Sequence, residues 1–102
     1  MQTHQRKKVE IVVERARAPA LVEAIQKLGA TGYTIIPDVS GNGRHGKMGH
    51  NEVLDVYRST MIIVLAAEPL ARRIMEEAHR LMENYTGIVW LSDVEVVRGD
   101  HF

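Results

Sequence analysis

From Lys8 to Glu14 apolar and polar positions alternate, with Val9, Ile11 and Val13 on one side and Glu10, Val12 and Glu14 on the other. A period of two is that of a strand with one face more apolar than the other. The period then lengthens: Pro19 opens a stretch to Leu28 in which Leu21, Ala24, Ile25 and Leu28 recur at helical spacing. Proline suits a first helical turn, and Gly29 stands where helices commonly stop in the left-handed conformation. Gly32–Val39 reads as a second strand, in which Pro37 must sit at an edge or a bulge because it has no N–H for the ladder. A segment with four glycines and no large aliphatic side chain except Met48 follows, from Ser40 to Asn51. A third strand is best defined from Ser59 to Leu65. Glu68 and Pro69 start a second helix to about Glu83, striped by Leu70, Ile74, Ala78 and Leu81. Its outer surface is expected to carry the four-apart pairs Arg72/Glu76, Arg73/Glu77 and Glu76/Arg80. Asn84–Gly87 turns the chain into a last strand, Ile88–Val97.

The order is β-α-β, long loop, β-α-β, two halves alike in element order and without an internal sequence repeat. Right-handed crossovers in both halves predict a four-stranded antiparallel sheet with both helices on one face, a ferredoxin-like α+β sandwich. The last strand carries Val89 and Leu91 on one side and Trp90, Val94 and Val96 on the other. Apolar residues on both sides predict that the helix-free face meets another subunit.

The chain has 102 residues, enough for one domain spanning residues 1–102. A domain this small buries only about two thirds of its unfolded surface, so a partner subunit would add to a thin margin. Thirteen Lys plus Arg balance thirteen Asp plus Glu, which argues against a nucleic-acid binder. The 45% hydrophobic content argues against a disordered chain. Without cysteine there are no disulfides, thiolate chemistry or Cys-based zinc sites, in keeping with a cytoplasmic setting. No apolar run approaches the roughly 20 residues of a membrane span, so no membrane insertion is expected. The polar start, Met1–Lys8, is not expected to act as a secretory signal.

Enzymatic chemistry is not expected. There is no Cys, no Gly-x-Ser-x-Gly elbow, and no histidine placed by a motif beside a serine. Of five histidines, His45 and His50 share the glycine-rich loop and could bind a metal, but no third ligand stands at fixed spacing. His79 reads as a surface residue. The loop itself is the chemical signal. Gly41-x-Gly43-Arg44 follows a strand, and glycine there lets backbone N–H groups approach an anion while the arginine adds a charge-assisted fork. A loop of about fifteen residues in so compact a domain is uncommon unless it is used.

Gly29-Ala30-Thr31-Gly32-Tyr33-Thr34, then Val39-Ser40-Gly41-Asn42-Gly43-Arg44-His45-Gly46, then Gly49-His50, resembles the PII signal-transduction family, whose T-G-x-T strand runs into G-x-G-R-x-x-G-H at the base of a long T-loop. The likeness covers nearly the whole chain in element order and is concentrated at Gly29–His50, with one extra residue at or near Pro37. It implies a homotrimer with adenine nucleotides in clefts between subunits. It places Thr34, Gly41, Asn42, Gly43, Arg44 and His45 on the nucleotide-contact stretch and Leu65 near the adenine. Thr86-Gly87 falls at the start of the B-loop, and Arg98 near the first of two late phosphate-gripping arginines.

The departures carry as much information. The family's T-G-K-x-G-D-G-K B-loop is cut to Thr86-Gly87, and Asp100 stands where the second late arginine would. Losing those cations predicts that ADP or AMP binds at least as well as ATP. His45 in place of the family's glutamine argues against 2-oxoglutarate sensing. No tyrosine lies between Gly41 and Val56 for uridylylation at its usual place, Tyr57 standing at the loop's base. These features resemble the PII-like branch linked to inorganic carbon, which includes carboxysome-associated and bicarbonate-transporter-associated proteins. That likeness implies a bicarbonate-sized anion near Arg44 or Arg58. The implied function is a sensor: nucleotide in an intersubunit cleft orders the loop, which regulates a transporter or carbon-metabolism protein. A trimeric metal-binding or structural protein using His45 and His50 is the alternative, and slow nucleotide hydrolysis ranks third.

Overall fold

The computed structural model describes residues 1–41 and 59–102. Four strands, β1 (His4–Glu14), β2 (Thr34–Val39), β3 (Ser59–Ala66) and β4 (Gly87–Val96), form one antiparallel sheet in the order β2-β3-β1-β4. The helices are α1 (Ala18–Lys27), entered through a 3₁₀ turn at Arg15–Arg17, and α2 (Glu68–Leu81). The expected β-α-β-β-α-β sandwich is therefore present.

The alternation in β1 sets the layers. Val9, Ile11 and Val13 are fully buried against the helices, and their register partners Val64, Ile62 and Thr60 on β3 are buried with them. Leu21 and Ile25 of α1 and Ala71, Ile74 and Ala78 of α2 close this core, with Leu70 and Leu81 partly buried at its margin. Gly29 ends α1 with φ +109°. Its N–H donates to the Gln26 carbonyl at 3.0 Å and that of Ala30 to the Ile25 carbonyl at 3.1 Å, the double bond of a Schellman stop. A side chain at that φ is strained, so Gly29→Ala is expected to cost about 1–2 kcal/mol in urea unfolding.

Two features differ from the sequence reading, and Pro37 meets it. β1 begins four residues early because His4–Lys7, too polar to show alternation, pair with Asp93–Val96 of β4. Pro37 occupies both of its expected settings: β2 is an edge strand, and its register shifts between Ile36 and Val39. The exposed face of α2 pairs Arg72 with Glu68 and Arg80 with Glu77, in place of the three expected pairs. The Arg80 hydrogen bond holds the Glu77 carboxyl below the usual carboxylate range.

The other face of the sheet has no helix over it. Ile36, Met61, Val12 and Ile88 stand in one register row across all four strands, and Ile36 and Ile88 are exposed. The next row holds Thr34, Ile63, Glu10 and Trp90, in which the Trp90 indole N–H donates to Glu10 Oε1 at 2.7 Å.

Candidate functional site

The register decides which candidate residues can meet. Thr34 pairs with Ile63, and Leu65 lies two residues further along the same face of β3, beside Lys8. Cross-strand diagonal neighbours are about 7–8 Å apart, so Thr34 and Leu65 share one patch at the Lys8 end of the sheet. Gly41 lies beyond Val39, which pairs with Ser59 and through it aligns with Glu14. Gly87 pairs with Val13. Gly41 and Gly87 thus flank the opposite end, from the two outer edges. Asn42, Gly43, Arg44, His45 and Arg58, and the metal candidates His45 and His50, lie outside the described residues.

Arg98 is placed elsewhere again. It follows the far end of β4, where Val96 pairs with His4. Nine residue steps at about 3.4 Å separate Val96 from Gly87, so Arg98 and Gly87 stand about 30 Å apart in one chain. An anion seated on Gly41, or one on Gly87, reaches Arg98 only from a second copy, because both glycines lie at the end of the sheet away from Val96.

Local structure around Arg98 is strongly tied. It precedes a short 3₁₀ turn, Gly99–His101, whose bonds run from His101 N–H to the Arg98 carbonyl at 3.1 Å and from Phe102 N–H to the Gly99 carbonyl at 3.2 Å. The Arg6 guanidinium donates to the carbonyls of Gly99 at 2.8 Å, Phe102 at 3.2 Å and Gln5 at 2.7 Å. The Thr31 hydroxyl donates to the His101 carbonyl at 2.6 Å. Gly99 is buried, and an added Cβ would come within 2.5 Å of the His4 ring. Arg98 itself is exposed and makes no ion pair among the described residues. Asp100 is also exposed, its carboxylate 3.8 Å from His101. Arg6 and Thr31 went unread in the sequence because their partners lie 70 to 96 residues away. The local traces were the Arg6-Lys7-Lys8 run at the start of a strand and the place of Thr31 in the Thr31-Gly32-Tyr33-Thr34 match.

At the opposite end the shortened turn has its own packing. A Cβ on Gly87 would lie 2.9 Å from the Val12 carbonyl oxygen and 3.1 Å from the Met82 methyl, so close strand packing accounts for this glycine without a ligand. Arg17 lies 3.8 Å over the Tyr85 ring in the same turn. A groove of about 710 Å³ runs between α1 and β2 on the helix side, lined by Ala18, Val22, Glu23, Ile35 and Thr60 among others. None of its lining residues is a predicted contact. Among the described residues no group of three or more His, Asp or Glu side chains could hold a metal, and no helix is long and apolar enough to cross a membrane.

Comparison with known proteins decides the relationship. The family model described as "Nitrogen regulatory protein P-II" matches residues 6–101. This chain belongs to the P-II family. Among solved structures, CPII from Thiomonas intermedia K12 bound to ADP, AMP and acetate is similar at 28% identity and a TM-score of 0.85. The match covers 100% of this chain and 98% of that one. CPII bound to ADP, AMP and bicarbonate matches at 30% identity and a TM-score of 0.79, over 95% of this chain and 98% of the other. The GlnK–ATP complex of B. subtilis, at 23% identity, 88% and 82% coverage and a TM-score of 0.67, shares the fold. No curated protein matches the chain. The inorganic-carbon likeness read from the shortened B-loop together with the other departures is consistent with the similarity to CPII, solved bound to bicarbonate.

Proposed function

We propose that this P-II family member is a non-catalytic sensor. It binds ADP or AMP, and ATP no more tightly, in clefts between the subunits of a homotrimer. One observation carries the reading: over its full length the chain matches CPII, which was solved bound to ADP and AMP. The separation of Gly41 and Gly87 from Arg98 supports a cleft between copies, with the phosphates on the Gly41 side of one subunit and Arg98 of the next. Thr34 and Leu65 face the adenine side, and Asn42, Gly43, Arg44 and His45 contribute to the phosphate side. The loop between β2 and β3 follows the nucleotide and presents a different surface to a partner in each state, because only a ligand with state-specific contacts shifts such an equilibrium. The partner is a transporter or a carbon-metabolism protein of the cytoplasm. A bicarbonate-sized anion near Arg44 or Arg58 is the second ligand, a reading supported by CPII bound to bicarbonate.

Isothermal titration with ADP, AMP and ATP, each with and without bicarbonate, tests this. Saturable ADP or AMP binding at one site per subunit is the expected result. Absence of binding by any adenylate at millimolar concentration would overturn the reading. Arg44→Ala is expected to weaken ADP binding more than tenfold, about 1.4 kcal/mol. Unchanged affinity in that variant would remove Arg44 from the site.

A further inference from the structure

We infer that Arg6 is a positioning residue for Arg98, fixing the turn from which Arg98 reaches the phosphates held by a neighbouring subunit. The inference rests on the proposed nucleotide site and names a residue which that reading does not contain. Three nitrogens of the Arg6 guanidinium are spent on carbonyl oxygens, two of them in the turn that follows Arg98, those of Gly99 and Phe102. A planar fork serving acceptors in two directions fixes orientation as well as distance, and a lysine ammonium cannot reproduce it. Arg6 makes no ion pair among the described residues, so its charge-assisted bonds go to backbone alone.

Two further contacts make the turn rigid. Thr31 holds the His101 carbonyl from the loop before β2, and the His4 ring lies where any side chain on Gly99 would have to be. These contacts fix the backbone after this exposed arginine, the pairing of Val96 with His4 holds it before, and the Arg98 carbonyl is already taken by His101 N–H. The side chain of Arg98 is left without an ion-pair partner among the described residues. A cation preorganised in this way loses little conformational freedom when it meets an anion, whereas the same arginine on a loose chain end would lose more. The fold therefore presents Arg98 outward from a pinned base, and Arg6 supplies most of the pins.

The test compares ADP with adenosine, since a residue acting through a phosphate contact moves only the first. Calorimetry on the wild-type protein, Arg6→Gln, Arg6→Lys, Arg98→Ala and the Arg6→Gln/Arg98→Ala pair is the experiment. Arg6→Gln and Arg98→Ala are each expected to weaken ADP binding about tenfold while adenosine affinity stays within about twofold. The double variant is expected to be no weaker than Arg98→Ala alone, because both act through one contact. Arg6→Lys keeps the charge and is expected to recover less than half of the loss in binding free energy; it also carries the test if the glutamine variant does not fold. Wild-type ADP affinity in both Arg6 variants would overturn the inference. So would a parallel loss of adenosine binding, or additive losses in the double variant. If the wild-type protein binds no adenylate, the proposed function fails first and takes this inference with it.

Discussion

A Met61→Glu variant is expected to sediment as a monomer and to lose ADP binding. Met61 stands mid-row on the helix-free face, with Ile36 on one side and Val12 on the other, and Ile88 beyond. That row is the most continuous apolar strip on a face the chain leaves uncovered. In a trimer that covers it, each introduced carboxylate would be buried without a partner, at about 3–5 kcal/mol per copy. In the separate chain Met61 is only half-buried, so the fold should survive. Analytical ultracentrifugation with a parallel ADP titration is the measurement. A trimer that still binds ADP would show that the subunits meet elsewhere. A monomer that binds ADP at full affinity would show that the site is complete within one chain, against the placement of Arg98.

Ile11→Ala is expected to remove about 2–5 kcal/mol of folding stability. Ile11 is fully buried at the centre of β1, paired with Ile62 on one side and Val89 on the other and covered by the helices. Small domains have only about 5–15 kcal/mol in total, so the variant should unfold at far lower urea. Equilibrium denaturation followed by circular dichroism measures it, at one fixed protein concentration because assembly shifts the apparent midpoint. A loss below about 1 kcal/mol would mean that the site relaxes around the smaller side chain.

Much of the fold was legible because its elements are stated locally. The alternation at Val9–Val13, the 3.6-residue stripe through Ile74 and Ala78, and the glycine at position 29 each specify a conformation by nearest neighbours alone. What escaped was set by distant pairing. His4–Lys7 are strand only because Asp93–Val96 lie beside them, and nothing in their own composition says so. The same holds for the site. Gly41 and Arg98 became candidates through motif likeness. Arg6 stands outside any motif, and Thr31, although inside the Thr31-Gly32-Tyr33-Thr34 match, bonds a carbonyl 70 residues away that the motif does not announce. Gly87 shows the converse: it reads as a ligand-loop residue, yet the Val12 carbonyl alone excludes a side chain there.

Pro37 has a bearing on how copies of this chain can add to one another. Midway along the outer strand it removes a main-chain donor, and the register breaks at the same point. A visiting strand could not dock along that border without leaving a polar group unanswered. Ribbon-like growth of the sheet through β2 is thereby disfavoured.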